Sequence, residues 1–143
     1  MPYIIPDFKK MAWNSRAVRS IQYDNAQQLD RIINEIKAVS SVDTHTAVKL
    51  LGSFMSIDNS LVQICCRSHN SLCSQYILRL YQDWDLPLDD IYDAIDLFYD
   101  KNDTVAMSYI YQVYPDVLHN RINELKSHTS QCEVSRSSSS SSE

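Results

Sequence analysis

Between Asp24 and Val39 the apolar residues Ala26, Leu29, Ile32, Ile33, Ile36 and Val39 recur at i, i+3, i+6, i+7, i+10 and i+13. That is one stripe of 3.6-residue period, hence a helix with a single buried face. Asp24 stands where a helix cap is wanted. "SSVDT" breaks the stripe, and Asp43 or Thr44 can cap a second helix carrying Ala47, Val48, Leu50, Leu51, Phe54 and Met55. After the turn "SIDNS" the pattern predicts a short helix over about 59–67 and a fourth over about 71–84, with "RSHNS" as the joint between them, because Ser and Asn side chains compete with helical hydrogen bonds. A fifth helix over about 88–99 presents Ile91, Ala94, Ile95 and Phe98, with Pro87 suited to its first turn. Asp103 can cap a sixth, Pro115 ends it, and Asp116 can start a seventh.

Period-two alternation never persists for the length of a strand, and hairpin dipeptides are missing. The fold class expected is therefore all-α, a compact stack of about six or seven short antiparallel helices. A core of this kind fits residues 21–126. Residues 1–20 read as a basic N-terminal arm with Lys9, Lys10, Arg16 and Arg19 against Asp7. Residues 127–143, more than half serine, read as a disordered tail that cannot bury enough apolar surface to offset its own ordering.

Composition sharpens this picture at one residue type. Gly52 is the only glycine in 143 residues, so phosphate-cradling loops, dinucleotide fingerprints and nucleophile elbows are excluded. No apolar run approaches the roughly 20 residues that cross a bilayer, and no secretory h-region is evident, so the cysteines are expected as reduced thiols in an intracellular protein, cytoplasmic or nuclear. Pro2 and Pro6 interrupt the amphipathic helix that mitochondrial import would need.

The segments "YILRLYQD", Tyr76 to Asp83, and "YIYQVYPD", Tyr109 to Asp116, match at an offset of 33 residues, a period typical of helical-hairpin arrays. The unit between them resembles a pentatricopeptide-type repeat, with paired tyrosines on a first helix and Ala94, Leu97 and Phe98 on a second. The resemblance implies a stacked-hairpin architecture. RNA reading, the work of that family, does not transfer to an acidic surface carrying so few units.

Candidate chemistry is sparse. Cys66, His69 and Cys73 are spaced i, i+3 and i+7, so on one continuous helix they could offer three zinc ligands, whereas a helix joint would part them. Cys73 near His69 also loosely fits a thiol nucleophile with its base, although no glycine-rich oxyanion loop accompanies it. "DKNDTVAM" lacks the glycine and closing glutamate of a calcium loop. No cofactor is expected, and no catalytic residue set stands out.

Charge says more. From Asp83 to Asp103 eight aspartates face one lysine, and Asp89, Asp93, Asp96 and Asp100 recur along one side of the fifth helix, with Asp85 just before it. Like charges at i, i+4 oppose helix formation. The stripe is either a solvated face or a docking surface for a protein partner, most simply a basic one. The chain's net charge of −5 argues against nucleic acid, except through Lys9, Lys10, Arg16 and Arg19 in the arm. Pairing of arm with stripe, or of open stack ends, would give a homodimer. Ser137 and Ser140 in the tail suit an acid-directed kinase.

The expected function is thus a non-catalytic protein-binding module, an adaptor or regulatory subunit. Its alternatives are a small helical regulator of death or immune signalling that holds an amphipathic helix in a groove, and nucleic-acid binding through the arm.

Overall fold

A computed structural model of the chain describes residues 5–140, with side chains as far as Ser127. It is an all-α bundle of eight helices, with no strand among the described residues. They are α1 (Asp7–Gln22), α2 (Ala26–Ser40), α3 (Thr44–Met55), α4 (Leu61–Arg67), α5 (Ser71–Asp83), α6 (Asp89–Asp100), α7 (Thr104–Val113) and α8 (Pro115–Ser140). The core runs through all of them, from Trp13, Ala17 and Ile21 on α1 to Leu118 on α8.

Local sequence accounts for most boundaries. Asp43 caps α3 by accepting from the Thr46 N–H at 2.9 Å, and Asp103 caps α7 through Ala106 at 3.1 Å. Ser60 and Gln63 form a reciprocal capping box at the start of α4. Asn25, not Asp24, caps α2, accepting from Gln28 at 3.1 Å. Pro87 lies outside α6, whose N-cap is Leu88. The backbone of α8 continues as helix to Ser140, into the segment that composition assigns to a disordered tail.

The largest departure from the sequence reading is α1. The basic segment is not an arm but a full helix that buries Trp13, Ala17, Ser20 and Ile21. Trp13 stacks on Phe54 of α3, ring centroids 6.1 Å apart and nearly parallel. Its indole N–H donates to Glu35 on α2 at 3.3 Å, and the Arg16 guanidinium grips the same carboxylate with bonds of 2.7 and 2.9 Å. Spacing of Trp13, Ala17 and Ile21 at i, i+4 and i+8 is a helical signal, overshadowed by Pro2, Pro6 and the charge.

With one glycine in the chain, helix ends need another route through the left-handed region. Asp24, Ser41, His69, Asp85 and Asn102 all take φ between 49° and 59°, each just past a helix C-terminus. At four of these ends the following N–H reaches back five residues, from Asn25 to Ser20, Val42 to Lys37, Leu86 to Tyr81 and Asp103 to Phe98, which is the long bond of the Schellman closure usually made with glycine. Gly52 itself has ordinary φ. It serves a close approach, since a Cβ there would meet the Leu61 backbone nitrogen at 3.2 Å.

Helix pairing also differs from the pentatricopeptide likeness. α5 packs on α4 and α7 rather than forming a hairpin with α6, while α6 packs on α4, α7 and α8. The hairpins are α4–α5 and α6–α7, and their turns carry His69 and Asn102 at the repeat offset of 33. Ile77 and Ile110, also 33 apart, are both fully buried.

Left-handed backbone costs a side-chain-bearing residue roughly 1–2 kcal/mol, less for Asp or Asn. Asp85→Gly, at an exposed turn, is expected to raise stability in urea denaturation by about 0.5–1 kcal/mol. Asp24→Gly should instead lower it by about 1–2 kcal/mol, because the Asp24 carboxylate accepts from the Leu72 and Cys73 N–H groups at 3.1 and 2.9 Å and so caps α5.

Candidate functional site

The acidic helix α6 carries two kinds of aspartate. Asp90 faces inward, 7% exposed, where it accepts from the Tyr81 hydroxyl at 2.5 Å and pairs with Lys49 of α3 at 2.9 Å. Burial and this carboxylate together push the Tyr81 phenol well above its usual pKa. On the outer side Asp89, Asp93 and Asp100 are exposed, and so is Asp85 in the preceding turn. Asp96 is not available in the same way. Arg121 of α8 grips it with two bonds of 2.7 Å, also bonds Glu124 at 3.0 Å and lies over the Tyr92 ring at 5.6 Å.

Asp93 also lines a cleft of about 380 Å³ between α6 and the α3–α4 connection. Lys49, Asp58, Asp90 and Gln63 contribute to its wall, and Ile57, 98% exposed, stands at its edge. Gly52 lets α3 approach the start of α4 here, and the Gln63 amide reaches the Asp93 carbonyl at 3.5 Å, tying α4 to α6. With Lys49 answering Asp90, the carboxylates of Asp58 and Asp93 leave the cleft a net negative lining. Lys49 and Asp58 were not legible as site residues, because nothing in their own sequence neighbourhood distinguishes them from surface charges.

The cysteine cluster is a joint, as the Ser and Asn residues within it imply. α4 ends at Arg67, α5 starts at Ser71, and His69 turns the chain with φ 59°. Without a continuous helix, Cys66, His69 and Cys73 do not share a face. The His69 ring turns to Asp103, 2.9 Å away, and its carbonyl accepts from the Tyr109 hydroxyl at 2.9 Å. Burial pushes the Asp103 carboxyl up, but the His69 ring and the Ala106 N–H outweigh it and leave the pKa below the usual range. Among the described residues no three His, Cys, Asp or Glu side chains gather as they would around a metal ion. The thiols of Cys65, Cys66 and Cys73 are unpaired and buried. Desolvation pushes Cys66 and Cys73 up to about 12, with the Asp24 carboxylate adding to the shift at Cys73. A nucleophile needs the opposite shift.

The four cations proposed for nucleic acid are spread around α1. Arg16 is bound to Glu35, Lys10 leans toward Asp7 at 3.9 Å, and Lys9 lies 5.8 Å from the Phe8 ring. Arg19 is exposed. α1, which carries them, packs on α2 and α3. Ser137 and Ser140 lie beyond the described side chains. Of the seven tyrosines between 76 and 114, Tyr81 is fully buried, Tyr92 and Tyr111 are exposed, Tyr76, Tyr109 and Tyr114 pack at the core edge, and Tyr99 is half-buried.

The buried thiols give a pH prediction. Their pKa is raised on folding, so the stability they contribute is complete below the unfolded value near 9.0 and is lost as pH climbs through about 12. In a Cys132→Ser variant, the remaining three thiols should resist a thiol reagent at pH 8 until the protein unfolds, and the denaturation midpoint should fall steadily above about pH 9. Rapid labelling of the native state would show that the joint is open. No family model, curated protein or solved structure matches the chain, that of the pentatricopeptide type included.

Proposed function

We propose that the protein is a non-catalytic protein-interaction module, an adaptor or regulatory subunit, that holds a basic segment of a partner along the outer face of α6 and in the adjoining cleft. One observation carries this reading: Asp93 belongs both to the exposed acidic stripe and to the lining of the cleft. The stripe alone would be a solvated face. A concave, acid-lined wall beside it, edged by the exposed side chain of Ile57, supplies what a lysine or arginine with its aliphatic stem needs.

The hairpin arrangement supports the same role. With α4 against α6 and α5 against α7, the α4–α5 and α6–α7 hairpins stack as in a short solenoid, an architecture whose exposed helices and grooves serve as binding surfaces. Of the original five aspartates, the reading rests on Asp89, Asp93, Asp100 and Asp85; Asp96 acts inside the protein through Arg121.

The test is affinity capture of the tagged full chain from its native cells, with nuclease present, followed by mass spectrometry. It is run beside the triple variant Asp89→Asn, Asp93→Asn, Asp100→Asn, whose sites are exposed and leave the core intact. A partner rich in basic segments should persist after nuclease and be lost with the variant. Partners that survive the triple substitution, or vanish with nuclease, would refute the acidic face as the working surface.

A further inference from the structure

We infer that α1 presents a second docking surface, an apolar seam edged by Arg19 on a net-cationic helix, that receives an acidic amphipathic helix of a protein partner. The inference does not rest on the acidic face of α6. It starts from an oddity of α1: the helix is apolar on two sides. Trp13, Ala17 and Ile21 are buried in the core, while Phe8, Met11 and Val18 on the outside are 69%, 70% and 50% exposed. A helix at a protein surface ordinarily turns polar residues outward.

The outer residues are ordered. Phe8, Met11, Ser15, Val18 and Gln22 follow at i, i+3, i+7, i+10 and i+14, the 3.5-residue spacing with which one helix meets another. The seam is roughly 21 Å long, four turns. It borders a concave surface. A hollow of about 540 Å³ lies between α1 and the α3–α4 region, lined by Val18, Ile21, Met55, Ile64 and Asn70 among others. A second, of about 410 Å³, runs along α1 past Met11, Ser15 and Arg19. Val18 and Gln22 line both. Knobs of an incoming helix need such hollows, whereas a flat bilayer does not, and the two methionines supply an adaptable lining.

Charge selects the occupant. α1 carries Lys9, Lys10, Arg16 and Arg19 against Asp7. Glu35 answers Arg16 internally, but Arg19 lines the second hollow and is exposed. A second copy seated through the same seam would set these cations against each other, and a basic helix would do likewise. A helix with glutamate or aspartate beside its apolar stripe is complementary to Arg19 at the edge of the seam and to the net positive charge of α1.

The probe is a labelled 15-residue peptide with leucine at positions 1, 4, 8, 11 and 15, glutamate at the flanking positions and alanine elsewhere, titrated with the full chain by fluorescence anisotropy. Its twin has lysine for every glutamate. The glutamate peptide is expected to bind at least about tenfold more tightly than the lysine one. Val18→Glu and Met11→Glu, at exposed positions that leave the far-ultraviolet dichroism unchanged, should each weaken it by about tenfold or more. Asp93→Asn should leave it unchanged, which separates this surface from the acidic face. Equal affinity for the two peptides, insensitivity to both substitutions, or no saturation by about 1 mM overturns the proposal. So does a dimer in sedimentation that Val18→Glu dissociates, which makes a second copy the occupant. Binding to phosphatidylserine vesicles without binding to the peptide overturns it in favour of a membrane.

Discussion

Three helix turns lie against one another, and their polar contacts set the register of everything else. Asp24, in the α1–α2 turn, caps α5 through the Leu72 and Cys73 N–H groups. Asn70, in the α4–α5 turn, answers by donating its side-chain amide to the Ile21 carbonyl at the end of α1. His69 in that same turn bonds Asp103, the cap of α7, and takes the Tyr109 hydroxyl on its carbonyl. Four helices, α2, α3, α4 and α7, are capped by their own flanking residues, whereas the cap of α5 comes from a different turn. Apolar burial drives the collapse, but it is non-directional, and this seam specifies which turn faces which. Two of its members, Asp24 and His69, hold left-handed backbone that glycine would adopt more easily; their side chains are the reason they are not glycine.

The same pinning divides the surface by charge. α1 is anchored on α2 and α3 through Trp13 and Arg16, leaving a cationic, partly apolar outer side. α6 is anchored through Asp90 and Asp96, whose charges are answered by Lys49 and Arg121, leaving Asp89, Asp93 and Asp100 outward. In each helix the charges that fix its position are neutralised within the bundle, and those that remain define a surface. A stripe of like charges along α6 works against the helix itself, and the pairing of Asp90 with Lys49 and of Asp96 with Arg121 offsets part of that repulsion.

Seven of the eight helices were legible from periodicity, and caps at Asp43 and Asp103 from residue type, because those signals are local. The joint at Ser68 to Asn70 was legible for the same reason. α1 was not, since prolines and charge near its start masked a core stripe of only a few residues. The candidate surfaces were half legible. Aspartates at i, i+4, i+7 and i+11 announce a face, but Asp96 is removed from it by Arg121, 25 residues away, and the cleft depends on Lys49 and Asp58 arriving from α3 and the loop after it. Asp24 reads as a cap for the next helix and instead caps one 48 residues further on, a pairing that only the tertiary fold creates.

The most direct measurement is a double-mutant cycle across the three turns, with Asp24→Ala at one end, Asp103→Ala at the other, and stability by urea denaturation for each variant and the pair. The two carboxylates meet at the α4–α5 turn, Asp24 at the α5 N-terminus and Asp103 at His69. If the turns act as one unit, the pair should depart from additivity by more than about 0.5 kcal/mol. Additive losses would mean that each cap acts alone and that the seam does not set the register of the bundle.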